Sequence, residues 1–181
     1  MKTLSVLFLA FVAIVSQQSL LFAQEVQEAP RARASAVAIA HTTVDGNYMK
    51  IVYGQPLKKG RVIFGELVPY DKVWRTGANE GTEITFTKDV LFGDKELKAG
   101  TYTLFTVPGK DKWLVYLNSV LGQWGEYEYS EENNVLSFET TAHSSNKMYE
   151  ALTFSFTEAT GGADLNLNWD TVHIKIPVRN K

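Results

Sequence analysis

The sequence predicts an all-β domain, an antiparallel β-sandwich of about ten short strands. Three observations carry this. Apolar and polar residues alternate with period two from Val37 almost to the C terminus, and successive residues of a strand point to opposite faces of its sheet. Turn-forming pairs punctuate the runs at Asp45-Gly46, Gly93-Asp94, Pro108-Gly109 and Gly161-Gly162. Beyond the N-terminal region no stretch has the longer period of an amphipathic helix. Strands with one polar face outnumber those apolar on both, which favours a sandwich over the alternative, a closed β-barrel.

The N terminus reads as a signal peptide over residues 1–23. Lys2 supplies the positive start, Leu4 to Val15 a short apolar run, and Leu21-Phe22-Ala23 a small-residue cleavage site before Gln24. Ser16, Gln17, Gln18 and Ser19 end the run before the roughly 20 apolar residues a membrane span needs. Residues 24–33, polar and with Pro30, are expected to be a flexible leader. Residues 34–181 then form a single β-rich domain. This organisation places the protein in the periplasm or outside the cell, with no stable membrane insertion after cleavage.

Within the domain, Val37, Ile39 and His41 share one face of the first strand, and Asp45-Gly46 turns the chain into a second carrying Met49, Ile51 and Tyr53. Ile84 and Phe86 alternate with polar neighbours. Val90 to Phe92 and Lys95 to Leu97 flank the Gly93-Asp94 turn. Thr101 to Val107 and Trp113 to Leu117 are apolar on both faces and read as a central pair. Val135 to Thr140, Leu152 to Thr157, Leu165 to Trp169 and Val172 to Val178 complete the set, each expected to be a separate strand. The triplet Asp170-Thr171-Val172 would then lie in a turn.

One segment breaks the alternation. Gly60 to Thr82 carries rigid aromatics and β-branched residues, unlike disordered chain, and a long irregular segment in a compact domain is usually functional. It is expected to be an ordered surface loop. Its residues Lys59-Gly60-Arg61, Ile63-Phe64-Gly65, Leu67-Val68-Pro69-Tyr70 and Val73-Trp74-Arg75-Thr76-Gly77-Ala78-Asn79-Glu80 resemble the signature of a bacterial family, the domain of unknown function numbered twenty-nine eleven. Ala99-Gly100-Thr101-Tyr102, Leu104-Phe105, Pro108, Trp113, Asn118, Trp124-Gly125 and Tyr127 continue the resemblance over roughly the whole exported chain. Gly81 stands where the pattern has alanine. The resemblance implies an exported β-rich protein and no known activity.

The candidate ligand-binding residues are Arg61, Trp74, Arg75, Asn79, Glu80, Trp124 and Tyr127. Arginine offers a planar fork for a carboxylate, a phosphate or a sugar hydroxyl, tryptophan a flat face for a sugar ring, and Asn79 and Glu80 further donors and acceptors. The same residues also suit a scaffold, with Arg75 paired to Glu80 or Glu66, Asn79 in a left-handed turn and Trp74 plugging the core. Gly77 is expected to let the chain fold back and bring Arg75 to Glu80. Gln123 to Tyr129 alternates polar and aromatic residues, as a stacking platform would.

Several functions lack support. There are no cysteines, and the chain carries a formal charge of −2, so neither disulfides nor a basic nucleic-acid footprint is expected. His41, His143 and His173 are too scattered to spell a metal site, and His173 is expected to face solvent. No catalytic motif and no cofactor motif occurs. The expected function is therefore non-catalytic binding of a polar or cell-envelope ligand, a saccharide or peptide. The alternatives are a hydrolase using Glu80 as acid or base, and a structural envelope protein whose partner the sequence does not name.

Overall fold

The computed structural model describes residues 33–181, so the signal peptide and nearly all of the leader lie outside the described residues. Nine strands run in chain order: β1 Ala36–Val44, β2 Asn47–Gln55, β3 Thr82–Phe86, β4 Val90–Phe92, β5 Lys95–Leu97, β6 Gly100–Val107, β7 Lys112–Asn118, β8 Asn134–Ala159 and β9 Gly162–Asn180. They form one antiparallel sheet in the order β1-β2-β3-β6-β7-β8-β9-β4-β5, and it does not close into a barrel. Among the described residues no helix is long and apolar enough to cross a membrane.

A single sheet supplies both layers because β8 serves two neighbours. Its first part pairs with β7, from Asn118↔Asn134 to Lys112↔Thr141. From Ala142 onward it pairs with β9. The last residues of β9 pair in turn with β4. Side chains from both parts of the folded sheet meet in one core that joins Ile51, Ile84 and Trp113 to Phe92, Leu165 and Ile176.

The predicted hairpins form where the turn chemistry placed them. Asp45 and Gly46 both take left-handed φ, 52° and 71°, and close the β1–β2 ladder at Val44↔Asn47, as a two-residue hairpin of this hand requires. β6 and β7 pair near the middle of the sheet, but β7 is not covered on both faces along its length, since Lys112 and Leu114 are exposed while Trp113 and Val115 are buried. Phe105, pointing away from the main core, is nevertheless fully buried beneath Tyr129, ring centroids 4.9 Å apart. The shared face of Val37 and Ile39 points to solvent, at 52% and 60% exposure.

Three expectations about strands and loops are corrected. The strands are not all short: β8 has 26 residues and β9 has 19, so each joins two segments read as separate. Register shifts between Ser144 and Thr153 interrupt the alternation of β8 without ending its pairing. In β9 the interruption is Asp170, with φ at 54°. It pairs with Tyr149, so Asp170-Thr171-Val172 lies inside a strand, not in a turn. The residues Gly60 to Thr82 are ordered but not merely superficial, because Ile63, Val68 and Trp74 enter the core at 0%, 4% and 8% exposure.

Candidate functional site

The segment from Trp74 to Glu80 is fixed residue by residue. The Trp74 backbone exchanges two hydrogen bonds with Thr106 of β6, at 2.8 and 3.0 Å. Its indole Nε1–H donates to the Gly77 carbonyl at 3.1 Å, and its ring stacks on Trp169 with centroids 5.9 Å apart. Thr76 takes φ of 54° and meets the Thr106 hydroxyl at 3.1 Å. Thr82 Oγ1 donates to the Thr76 carbonyl. The Ala78 amide then donates to the Gly54 carbonyl on β2 at 3.1 Å, and the Asn79 Nδ2 donates to the Ser35 carbonyl.

Gly77 is required here for closeness, not flexibility. The left-handed positions flanking it are Thr76 and Asn79, φ 54° and 66°. A Cβ on Gly77 would stand 2.7 Å from Thr82 Oγ1 and 3.2 Å from the Gly54 carbonyl oxygen. The loop crosses β2 backbone to backbone, so side chains are excluded there.

Arg75 is the residue this scaffold presents. Its guanidinium Nη1 donates to Glu126 Oε2 at 2.7 Å, with the two side chains 25% and 36% exposed. The partner is Glu126, not the Glu80 or Glu66 expected from the sequence. A pair this accessible to water contributes at most about 1 kcal/mol to stability. The Arg75 Nε is buried and has no hydrogen-bond partner. Glu80 is instead drawn into a short antiparallel contact with Trp124, completed by Gly81 N–H to the Gln123 carbonyl at 2.8 Å and Gly125 N–H to the Asn79 carbonyl at 3.0 Å.

Arg75 lines a cleft of about 280 Å³ together with Arg61, Lys72, Trp74, Trp169 and Glu126. Arg61 is held in place by its own turn: Nε donates to the Lys58 carbonyl at 3.0 Å and Nη2 to that of Leu57 at 2.5 Å. Among the described residues three cations therefore line one concavity, and Glu126 is the one carboxylate lining it. Of the seven sequence candidates, Arg61, Trp74 and Arg75 line this cleft. Asn79 and Glu80 are not among its lining residues. Trp124 and Tyr127 stand outside it, 59% and 79% exposed. Gly125 connects the two groups, since a Cβ there would lie 3.0 Å from Arg75 Nη1 and 2.9 Å from the Tyr127 ring.

Sequence reasoning missed Lys72, Glu126 and Trp169. Glu126 lay within the quoted Gln123 to Tyr129 run and Lys72 one step from the Val73-Trp74 signature. No sequence signal paired either with Arg75. The histidine reading also changes. His173 does not face solvent: it is half-buried, its Nδ1 lies 2.8 Å from Asn168 Oδ1, and the His143 ring stands across the ladder, centroids 6.5 Å apart. Among the described residues no three potential ligands gather as a metal site.

No curated protein and no solved structure matches the chain. A family model does match, over residues 35–178, and its description is protein of unknown function (DUF2911). That span holds all of the sheet except the last two residues of β9, together with the residues that line the cleft, and the chain belongs to the DUF2911 family.

Proposed function

We propose that this protein is exported and binds an acidic polar ligand of the cell envelope, a carboxylate-bearing saccharide or peptide, in the Arg61–Lys72–Arg75 cleft without chemistry. The observation that carries the reading is the gathering of three cations around the Trp74 wall, with Glu126, paired to Arg75, the one carboxylate among the described lining residues. The Glu126 tie occupies Arg75 Nη1, while the unpartnered Nε leaves the guanidinium short of its full set of bonds. The fork of an arginine suits the paired oxygens of a carboxylate or phosphate, through charge-assisted hydrogen bonds.

Binding is favoured over hydrolysis because a glycosidase needs two carboxylates facing each other across the substrate. Among the described residues the cleft is lined by one acidic residue, and Glu80 does not line it. A purely structural reading fits Asn79 and Glu80 better than Arg61 and Lys72, which are exposed at the mouth of the cleft.

The binding test is thermal unfolding with digalacturonate and muramyl dipeptide as acidic probes. A ligand present at 100 times its Kd stabilises the folded state by about 2.7 kcal/mol, which raises Tm by roughly 5–10 °C in a domain of this size. The rise is expected for at least one probe and is expected to vanish in Arg75→Ala. A shift of equal size in that variant would place the ligand elsewhere. Export is tested separately by the intact mass of protein recovered from the periplasm or medium. A chain beginning at Gln24 is expected; a species in the membrane fraction that keeps Met1 would refute export.

A further inference from the structure

A second concavity lies on the outer face of the β8–β9 hairpin, made of residues that the cleft does not use. Alternation sends Leu152, Phe154, Leu165 and Leu167 into the core and therefore Ser155, Thr157, Asn166 and Asn168 to the opposite face. On a flat, solvated sheet these amides would be open to water. Asn166 and Asn168 are instead only 8% exposed. The cause is the irregular stretch of β8, whose register shifts bring Ser144, Ser145 and Tyr149 alongside them. The result is a groove of about 470 Å³, with His173 completing its lining.

The chemistry of this groove is uniform. Among the described residues none that line it is Asp, Glu, Lys or Arg. Hydroxyls come from Ser144, Ser145, Tyr149, Ser155 and Thr157, and amides from Asn166 and Asn168. Asn166 is held rigid by its Nδ2, which donates to Thr157 Oγ1 and to the Asp164 carbonyl, each at 3.1 Å. The Asn168 Oδ1 has no proton to give, so His173 Nδ1 is the donor in their 2.8 Å contact. The neutral imidazole then keeps its Nε2 lone pair as an acceptor. Burial, then the neighbouring His143 and Lys175, lower the His173 pKa below its ordinary value and favour that neutral form. Tyr149 adds an aromatic surface, held by the Lys147 ammonium 4.7 Å from its ring centre.

We propose that this groove is a binding site for a neutral saccharide. Among the described lining residues a cation would meet no carboxylate and an anion no Lys or Arg, the nearby Lys147 ammonium being engaged over the Tyr149 ring. An apolar ligand would desolvate hydroxyls and amides without replacing their hydrogen bonds. A polyhydroxylated ring offers donors and acceptors in the same mixture as the lining, and an apolar face for Tyr149. The volume falls within the range of about 300–1,000 Å³ usual for small-molecule sites. This site is independent of the acidic-ligand cleft, whose lining shares no residue with it.

The test is an amide chemical-shift titration of the purified protein with cellobiose, maltotriose and N,N′-diacetylchitobiose. At least one is expected to shift the amides of Tyr149, Ser155, Asn166 and Asn168 saturably, with Kd of about 1 mM or tighter. Ser144→Trp, at an exposed position on the rim, is expected to weaken that binding about tenfold or more while the remaining spectrum stays folded. Tyr149→Ala is expected to weaken it too, and Arg75→Ala to leave it unchanged. The proposal is overturned if none of the three sugars gives a saturable shift at these amides. It is equally overturned if a folded Ser144→Trp binds as the wild type does.

Discussion

Trp74→Ala is expected to cost about 3–5 kcal/mol of folding stability, the range for emptying a large aromatic site in a core. Trp74 is 8% exposed. Its ring stacks on Trp169 and meets Trp113 and Phe64 edge-on, each with centroids 6.1 Å away. Truncation opens a cavity among three large rings that cannot collapse together, and it strips the Gly77 carbonyl of its indole donor. Trp124→Ala, at 59% exposure, is expected to change stability by no more than about 0.5 kcal/mol. Urea denaturation reads both, as a shift in midpoint at constant slope. Similar losses for the two tryptophans would refute the assignment of Trp74 to the core. A consequence follows for function: because Trp74 is both the cleft wall and a core residue, only Arg61, Lys72 and Arg75 can report on binding without unfolding the site.

Gly54→Ala is expected to be nearly as damaging, at about 3 kcal/mol, the upper end for forcing an atom into a packed position. A Cβ on Gly54 would lie 1.9 Å from the Ala78 carbonyl oxygen and 2.7 Å from its carbon. Both are backbone atoms, and the same crossing is held by the Ala78 N–H to Gly54 carbonyl bond. The loop has to lift off β2 to make room, taking Arg75 and Asn79 with it. Gly60→Ala is the contrasting case. Its φ is 71° but nothing lies within 4 Å of the added carbon, so only the left-handed strain of about 1–2 kcal/mol remains. Denaturation midpoints of the two variants should differ accordingly. Gly54→Ala at or below the cost of Gly60→Ala would mean that the loop does not sit on the strand as described.

The parts of this fold that were legible in the sequence are those that neighbouring residues dictate. Asp45-Gly46 accepts the left-handed φ values of a tight hairpin whatever surrounds it. Thr153, Ser155 and Thr157 announce an outward face because their neighbours Leu152, Phe154 and Phe156 are apolar. Long strands were misjudged for the same reason. Asp170 with its positive φ looks like a strand end locally, yet its pairing with Tyr149 keeps β9 continuous. Gly77 was read as a hinge because a glycine's freedom is a local property. Its actual role, contact with Gly54, depends on a strand more than twenty residues away in the chain.

The candidate site divides along the same line. Arg61, Trp74 and Arg75 could be named from side-chain chemistry and the family signature, and all three line one cleft. The partner of Arg75 could not, since Glu126 lies 51 positions on and nothing local separates it from Glu66 or Glu80. The open groove over the buried Asn166 and Asn168 was equally hidden, because alternation assigns a residue to a face but says nothing of that face's curvature. The sequence by itself determined the strand class, the hairpins and the chemical character of each surface, since these follow from steric and solvation preferences within a few residues. Only the tertiary structure decided which charges meet and which polar face becomes concave, because those depend on where the bent β8 and the loops of distant strands come to rest.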